Sequence, residues 1–293
     1  MDMQFQTIIY KIQEIEEKQG RPLGWEHLDN ELKEHGILVC RGKDGLLYDI
    51  LKEYSLKPES VLAIAATDET LKEAAQYNLA VLAYRNPHFP NEELFWSDFL
   101  IESFDDIDYY FLERVYQRKH GIPWTVIETR RCYLREMTVS DLPDLYELYS
   151  GAGMTDYIQP LRSFEEEVRY VKTYLDQMYR FYGYGFWIVK DRFTDELIGR
   201  AGFENYLTDD IWALEMGYAI TPGRQRQGYA FEICKAMLAY AKGIESGFEK
   251  VYCFVKKSNA ASIALLVKLG FLFEGMQIYG GENMLRYVYL LED

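Results

Sequence analysis

Histidine is scarce in this chain of 293 residues, and its placement matters more than its number. All four, His27, His35, His88 and His120, precede residue 129. The second half therefore cannot assemble a Ser-His or Cys-His nucleophile pair, or a histidine zinc site, from its own side chains. Cysteine is equally sparse. Cys40, Cys132, Cys234 and Cys253 are scattered with no C-x-x-C pair, which fits reduced thiols in a cytoplasm better than a disulfide framework. No stretch approaches the ~18 uncharged apolar residues of a membrane span; Lys268 interrupts the most apolar one, Ile263 to Phe273. The opening Met1-Asp2-Met3-Gln4 lacks the basic segment and apolar run of a secretory signal, so none is expected. Basic residues are outnumbered 32 to 47, a net charge of −15. That balance disfavours nucleic acid and anionic membrane surfaces as partners, since both demand basic patches.

What is present is ordinary globular material, 48% apolar and 27% charged, at a length that suggests two domains. Residues 1–129 hold 13 basic against 24 acidic side chains, and residues 130–293 hold 19 against 23. The acidity is thus mainly an N-terminal property, read most simply as a solubility device. The periodicity of Phe5 to Gln19 predicts an amphipathic helix with Ile8, Ile9, Ile12 and Ile15 on one face. Beyond it, short apolar runs (Ile37–Cys40, Val61–Ala65, Ala80–Tyr84, Phe99–Ile101) alternate with helical stretches, the pattern of a small Rossmann-like parallel sheet. A boundary is expected near Gly121-Ile122-Pro123, giving domains of residues 1–122 and 130–293. The second is expected to be a mixed, mainly antiparallel sheet with flanking helices, so that the whole chain is α/β.

In the first domain, Pro58-Glu59-Ser60-Val61-Leu62-Ala63-Ile64 followed by Ala65-Ala66-Thr67-Asp68 resembles a late strand of the haloacid-dehalogenase-type phosphatases, and Ala74 to Val81 the helix and strand after it. No strand ends in an Asp-x-Asp nucleophile, however, and Ala65-Ala66-Thr67-Asp68 stands where that family holds magnesium. Phosphoryl transfer would lack its machinery. The resemblance therefore implies a degenerate domain with a scaffold or recognition role.

The most informative stretch is Ala219-Ile220-Thr221-Pro222-Gly223-Arg224-Gln225-Arg226-Gln227-Gly228-Tyr229-Ala230. A strand ends at Pro222, and a turn rich in Gly, Arg and Gln opens an amphipathic helix. The unpaired N–H groups of such a helix start bind phosphate oxygens. Gly228 and Ala230 leave room for the approach, and Arg224 and Arg226 add positive charge. Gln225-x-x-Gly228-x-Ala230 after Ile220-x-Pro222 resembles the acetyl-CoA pyrophosphate motif of the GCN5-related N-acetyltransferase (GNAT) superfamily. Asn259-x-x-Ser262 followed by Leu269-Gly270-Phe271 is similar to its second cofactor element, and Ile198-Gly199-Arg200-Ala201-Gly202 to its third strand. Over roughly Arg131 to Leu291 the chain is most similar to the branch that acetylates ribosomal-protein N-termini.

That resemblance implies a two-domain cytoplasmic enzyme, an N-acetyltransferase moving the acetyl group of acetyl-CoA directly to a primary amine, without a metal. The acceptor would be a small molecule or a protein N-terminus; nucleic acid and membrane are not expected partners, and a homodimer is left open. Backbone groups of Tyr218, Ala219 and Ile220 would pair with the pantetheine arm. Gln225, Arg226, Gln227, Gly228, Tyr229 and Ala230 would cradle the pyrophosphate, and Asn259 would hydrogen-bond the cofactor with Ser262 beside it. Relatives that acetylate protein N-termini can use a glutamate five residues before the asparagine and a tyrosine four before the Gly-Phe. Phe254 and Leu266 stand at those positions and cannot transfer a proton. The base expected here is Glu215, on the strand beside the thioester, with Glu204 as second choice. Tyr157, Tyr182, Tyr184 and Tyr206 fall where they could line an acceptor cleft, as does the Met154–Tyr157 turn, though such tyrosines more often cap a core. The competing class is an acyl-CoA-binding module that has lost turnover.

Overall fold

The computed structural model describes residues 5–12, 24–42, 46–87, 89–97, 99–179, 182–208, 211–244 and 247–291, apart from the side chains of Asp176 and Met178. The chain divides into two compact units, Met1–Trp124 and Thr125–Asp293.

The first unit is built on a five-stranded parallel sheet. Its strands are β1 (Thr7–Lys11), β2 (Leu38–Arg41), β3 (Val61–Ala65), β4 (Ala80–Tyr84) and β5 (Leu100–Ile101), in the order β2-β1-β3-β4-β5. Helices α1 (Trp25–Glu34), α2 (Leu47–Glu53), α3 (Asp68–Gln76) and α4 (Tyr109–Lys119) accompany them. β3 is buried at every position, as its unbroken apolar run requires of a strand covered on both faces. The helix expected from Phe5 is instead a strand over residues 7–11, between β2 and β3. Its isoleucines divide by a period of two. Ile8, Tyr10 and Ile12 join the cluster of Trp25, Leu28 and Phe104, while Ile9 joins Leu47 and Ile50 on the opposite face. Ile15 lies outside the described residues. At the end of β3, the Asp68 carboxylate accepts hydrogen bonds from the Glu93 and Leu94 amides, both 2.9 Å.

The second unit holds an eight-stranded sheet. Its strands are β6 (Thr125–Glu128), β7 (Cys132–Glu136), β8 (Phe186–Asp191), β9 (Leu197–Thr208), β10 (Ile211–Ile220), β11 (Lys250–Val255), β12 (Leu272–Tyr279) and β13 (Glu282–Leu290). The order is β12-β13-β11-β10-β9-β8-β7-β6, and every pairing but β10 with β11 is antiparallel. Helices α5 (Leu142–Ser150), α6 (Phe164–Thr173), α7 (Tyr229–Lys242) and α8 (Ala260–Leu269) complete it.

One register irregularity positions the site. β10 pairs with β9 along its whole length, from Ile211↔Thr208 to Ile220↔Gly199. On its other edge it meets β11 only at Leu214↔Val251 and Glu215↔Tyr252. β11 runs on through Val255 against β13, so the two parallel strands part after Glu215. Met216–Ile220 keep an edge unpaired with any other described strand. Side chains of β10 alternate across the sheet. Leu214, Met216 and Ile220 enter the core with Ile233, Cys234 and Met237 of α7, whereas Ala213 packs with Tyr252 and Val288, next to Tyr206 and Phe254.

Candidate functional site

The corner from β10 to α7 is fastened from several directions. Pro222–Arg224 make one 3-10 turn, and the Gln225 side chain donates to the Ile220 carbonyl at 2.9 Å, tying the turn to the strand end. Arg226 (φ 58°) and Gly228 (φ 83°) both adopt the left-handed region. Such alternation over a few residues makes a concave, anion-binding run of backbone N–H groups. Gly228 is the N-cap of α7, and no side chain caps the helix there. The first-turn amides of α7 are therefore left to a ligand or to water. Behind the turn, the Arg131 guanidinium lies 4.0 Å from the Tyr229 ring centroid. It donates to the Gln227 carbonyl at 3.0 Å and to Glu232 at 2.7 Å. Arg224 also lines the cavity and pairs with Glu196 at 3.1 Å and Asp191 at 3.6 Å, which offset its charge. Arg226 is exposed and has no ion pair among the described residues.

A cavity of about 580 Å³ opens in front of this corner, within the range of small-molecule sites. Tyr218, Ala219, Ile220, Gln225, Arg226, Gly228, Tyr229, Ala230, Asn259 and Ser262 all line it. Gln227 does not; its side chain donates back to the Gly223 carbonyl at 2.8 Å. On the far wall, the Asn259 carboxamide oxygen accepts from the Ser262 amide at 3.1 Å and caps α8, leaving its NH₂ as the group able to face a ligand. The Tyr218 hydroxyl is buried without a hydrogen-bond partner. Burial, reinforced by Cys253 and Cys234 and opposed by the neighbouring Ser262 side chain, pushes its pKa well up, so it stands as a neutral donor. A buried, unpaired hydroxyl on a cavity wall fits a polar ligand.

Sequence reasoning missed one wall. Gly153, Met154, Tyr157 and Ile158 close the cavity from a segment some sixty residues upstream, and the Tyr157 hydroxyl donates to the Ser258 carbonyl at 3.1 Å. The Met154–Tyr157 turn, expected on the acceptor side, thus lines the same cavity as the corner. Lys268 on α8 also lines the cavity, 4.4 Å from the Phe231 ring centroid.

Glu215 does not line this cavity. It occupies the last paired position before the strands part, opposite Glu204 on β9. The Tyr279 hydroxyl donates to its carboxylate at 2.6 Å. Burial pushes the Glu215 carboxyl up to about 7 from an ordinary 4.5; the Tyr279 hydrogen bond opposes the rise and the like charge of Glu204 adds to it. Tyr279 stacks on Phe254 with centroids 4.2 Å apart and 7° between planes, and Tyr206 meets Phe254 edge-on at 5.1 Å. The Tyr184 hydroxyl donates to Asn205, and Tyr182 stands 5.9 Å from the Tyr184 ring. Leu266 is fully buried. No cluster of three or more His, Cys, Asp or Glu side chains able to hold a metal occurs among the described residues. Nor is any described helix long and apolar enough to cross a membrane.

Comparison with known proteins gives a consistent picture. Residues 131–272 match the family model described as an acetyltransferase (GNAT) domain. The chain is 30% identical over 154 residues to the uncharacterized N-acetyltransferase YoaA of Bacillus subtilis strain 168, covering 52% of this chain and 85% of that protein. It is 27% identical over 147 residues to the uncharacterized protein YkkB of the same strain, covering 50% and 84%. Among solved structures, a GNAT-family acetyltransferase from Bacillus anthracis is similar, with 22% identity, a TM-score of 0.47, and 57% and 99% of the two chains covered.

Proposed function

This chain belongs to the GNAT acetyltransferases, which move acetyl groups from acetyl-CoA to amines, and from that premise we propose direct transfer to a primary amine with the cofactor in the corner cavity and Glu215 as base. The observation that carries the reading is the parting of β10 and β11 after Glu215. It leaves an unpaired strand edge that leads from the base to a cavity with an anion-binding corner.

When bound, acetyl-CoA supplies a thioester carbonyl, an electrophile for a nitrogen lone pair. The edge Met216–Ile220 offers backbone groups with which an extended pantetheine arm pairs as an added strand. The first amides of α7, the loop from Gln225 to Gly228 and the unpaired Arg226 hold the diphosphate. Asn259 and the Tyr218 hydroxyl supply donors along the way. A backbone N–H fixed at the carbonyl oxygen contributes ~3 kcal/mol toward the developing negative charge, and holding the amine beside it supplies much of the remaining rate. Glu215, ionised above about pH 7, would take the proton that the acceptor's ammonium must lose before its lone pair attacks; the C–N bond forms as the C–S bond breaks, and CoA leaves as a thiolate that takes its proton from solvent. The acceptor is a small-molecule amine or a protein N-terminus.

A second reading, a cofactor-binding module without turnover, draws on Phe254 and Leu266. One is stacked and the other fully buried, and neither carries a titratable proton. Free-thiol release from acetyl-CoA across a panel of amines and peptide N-termini separates the two. Amine-dependent thiol supports transfer; tight CoA binding with none supports the module.

For residues 1–122 we propose a non-catalytic scaffold or recognition role, supported by the engagement of Asp68 with backbone amides. A cytoplasmic location is supported by four cysteines that are all buried and free.

A further inference from the structure

The face of the sheet that bears Glu215 carries a cation that the transfer chemistry leaves unused. The register Ala219↔Arg200, Gly217↔Gly202, Glu215↔Glu204 sets Arg200, Glu204 and Glu215 on one face, with two opposed glycines between them. Phe186 fills the floor of that gap: a Cβ at Gly217 would lie 2.7 Å from its Cζ. The Arg200 guanidinium rests over the Phe186 ring, 4.8 Å from the centroid. Next to it, the Tyr174 hydroxyl accepts from the Phe186 amide at 2.7 Å and feels the charges of both Arg200 and Glu204.

Arg200 is half-buried, its Nε is buried without a hydrogen-bond partner, and no carboxylate among the described residues pairs with it. The other half-buried arginines described in the same unit are matched: Arg131 with Glu232, Arg135 with Asp141, Arg224 with Glu196, Arg286 with Glu274. A guanidinium positioned by an aromatic ring and partly withdrawn from water is destabilising until an anion completes it. Its planar fork suits carboxylate and phosphate oxygens. Arg200 and Glu204 are four strand residues apart, ~13 Å between Cα atoms.

We propose that the acceptor amine also bears an anionic group, carboxylate or phosphate, that pairs with Arg200 while its nitrogen reaches Glu215. The inference rests on the transfer reaction proposed above.

The full chain saturated with CoA is melted in acetate, in inorganic phosphate, and in chloride of equal ionic strength. A rise in Tm specific to acetate or to phosphate, lost in Arg200→Gln and partly kept in Arg200→Lys, is the expected result, and which anion acts identifies the group. Thiol release is then compared for α-amino acids, aminoalkyl phosphates and matched carboxamides. The preference for the anionic member should fall about 10- to 100-fold in Arg200→Gln. CoA binding with no anion-specific rise, a rise that survives Arg200→Gln, or a wild-type preference for the carboxamides overturns the inference alone. Failure of the wild type to bind CoA overturns the transfer reading and this inference together.

Discussion

Replacing Glu215 by Gln separates catalysis from stability in a way that a purely structural glutamate would not. The folded carboxyl sits near 7 and its ordinary value is 4.5. Its folded pKa is raised, so the native state binds the proton more tightly than the unfolded chain. The sign is then fixed: between about pH 4.5 and 7 the unfolded state has already released the proton, and stability falls as pH rises through that window. A carboxyl raised from 4.5 to about 7 corresponds to a cost on the order of 3 kcal/mol for ionising it in the folded state, reduced to about 2 kcal/mol because the carboxylate keeps some contact with water. Gln carries no charge and still offers Tyr279 an acceptor. Glu215→Gln should therefore melt about 4–8 °C higher than wild type at pH 8 and within a degree or so of it at pH 5. Turnover at pH 8 should drop about 10²-fold or more, with CoA affinity changed less than about 2-fold. Thermal melts at the two pH values, calorimetric CoA titration and thiol release test all three. An equal Tm difference at pH 5 and pH 8 would mean that Glu215 does not titrate in this window, and undiminished turnover would remove it as base.

The neighbours of Glu215 should move the acid limb of kcat/KM in opposite directions. Tyr279→Phe removes a donor to the carboxylate and should raise the apparent pKa by about one unit. Glu204→Gln removes a like charge and should lower it. A pH profile from 5 to 9 checks both, and shifts of the same sign would contradict the assigned causes. At the corner, Gly228→Ala should cost about 1–2 kcal/mol of stability for a left-handed non-glycine residue whose Cβ would start 3.6 Å from the Arg131 guanidinium, as read by chemical melts. Tyr218→Phe removes the unpaired hydroxyl and should weaken CoA binding about 5- to 10-fold without lowering Tm. A drop in Tm instead would show the hydroxyl to be part of the fold.

Much of the corner is legible in the sequence because backbone geometry dominates it. A strand followed by a turn with Gly228 and then an amphipathic helix has a local signature, and Asn259 to Ser262 caps its helix three residues apart. Long-range partners are less visible. Glu215 can be singled out as a carboxylate on the right strand, but its donor Tyr279 is 64 residues away. The wall from Gly153 to Ile158 carries no motif. The partners of Arg224, Asp191 and Glu196, come from 33 and 28 residues upstream and have no local signal. In the first unit, Ile8, Ile9 and Ile12 fit a helical face as well as two strand faces, and the parallel neighbours β2 and β3 decide the matter. β6 escapes notice because only Ile127 of its four residues is buried, the weak pattern of a sheet edge.

The site's economy comes from β10, which uses three directions at once. One set of alternate side chains, Leu214, Met216 and Ile220, anchors the strand in the core beneath α7. The other set carries Glu215 and, two residues on, the bare position Gly217 where Phe186 enters. The in-plane edge from Met216 to Ile220 is freed because β11 turns away with β13. Five residues of strand separate Glu215 from Ile220, ~17 Å of extended backbone, and the turn begins directly after. The distance from Glu215 to the corner is thus set by strand rise, which does not adjust to side-chain changes. Under the proposed transfer, specificity for the acceptor would vary through residues on the Glu215 face, such as Arg200, Glu204 and Phe254, without disturbing the proposed cofactor seat. A slip of one residue in the β9–β10 register would undo that separation, since it would send Glu215 into the core and Met216 to the acceptor side.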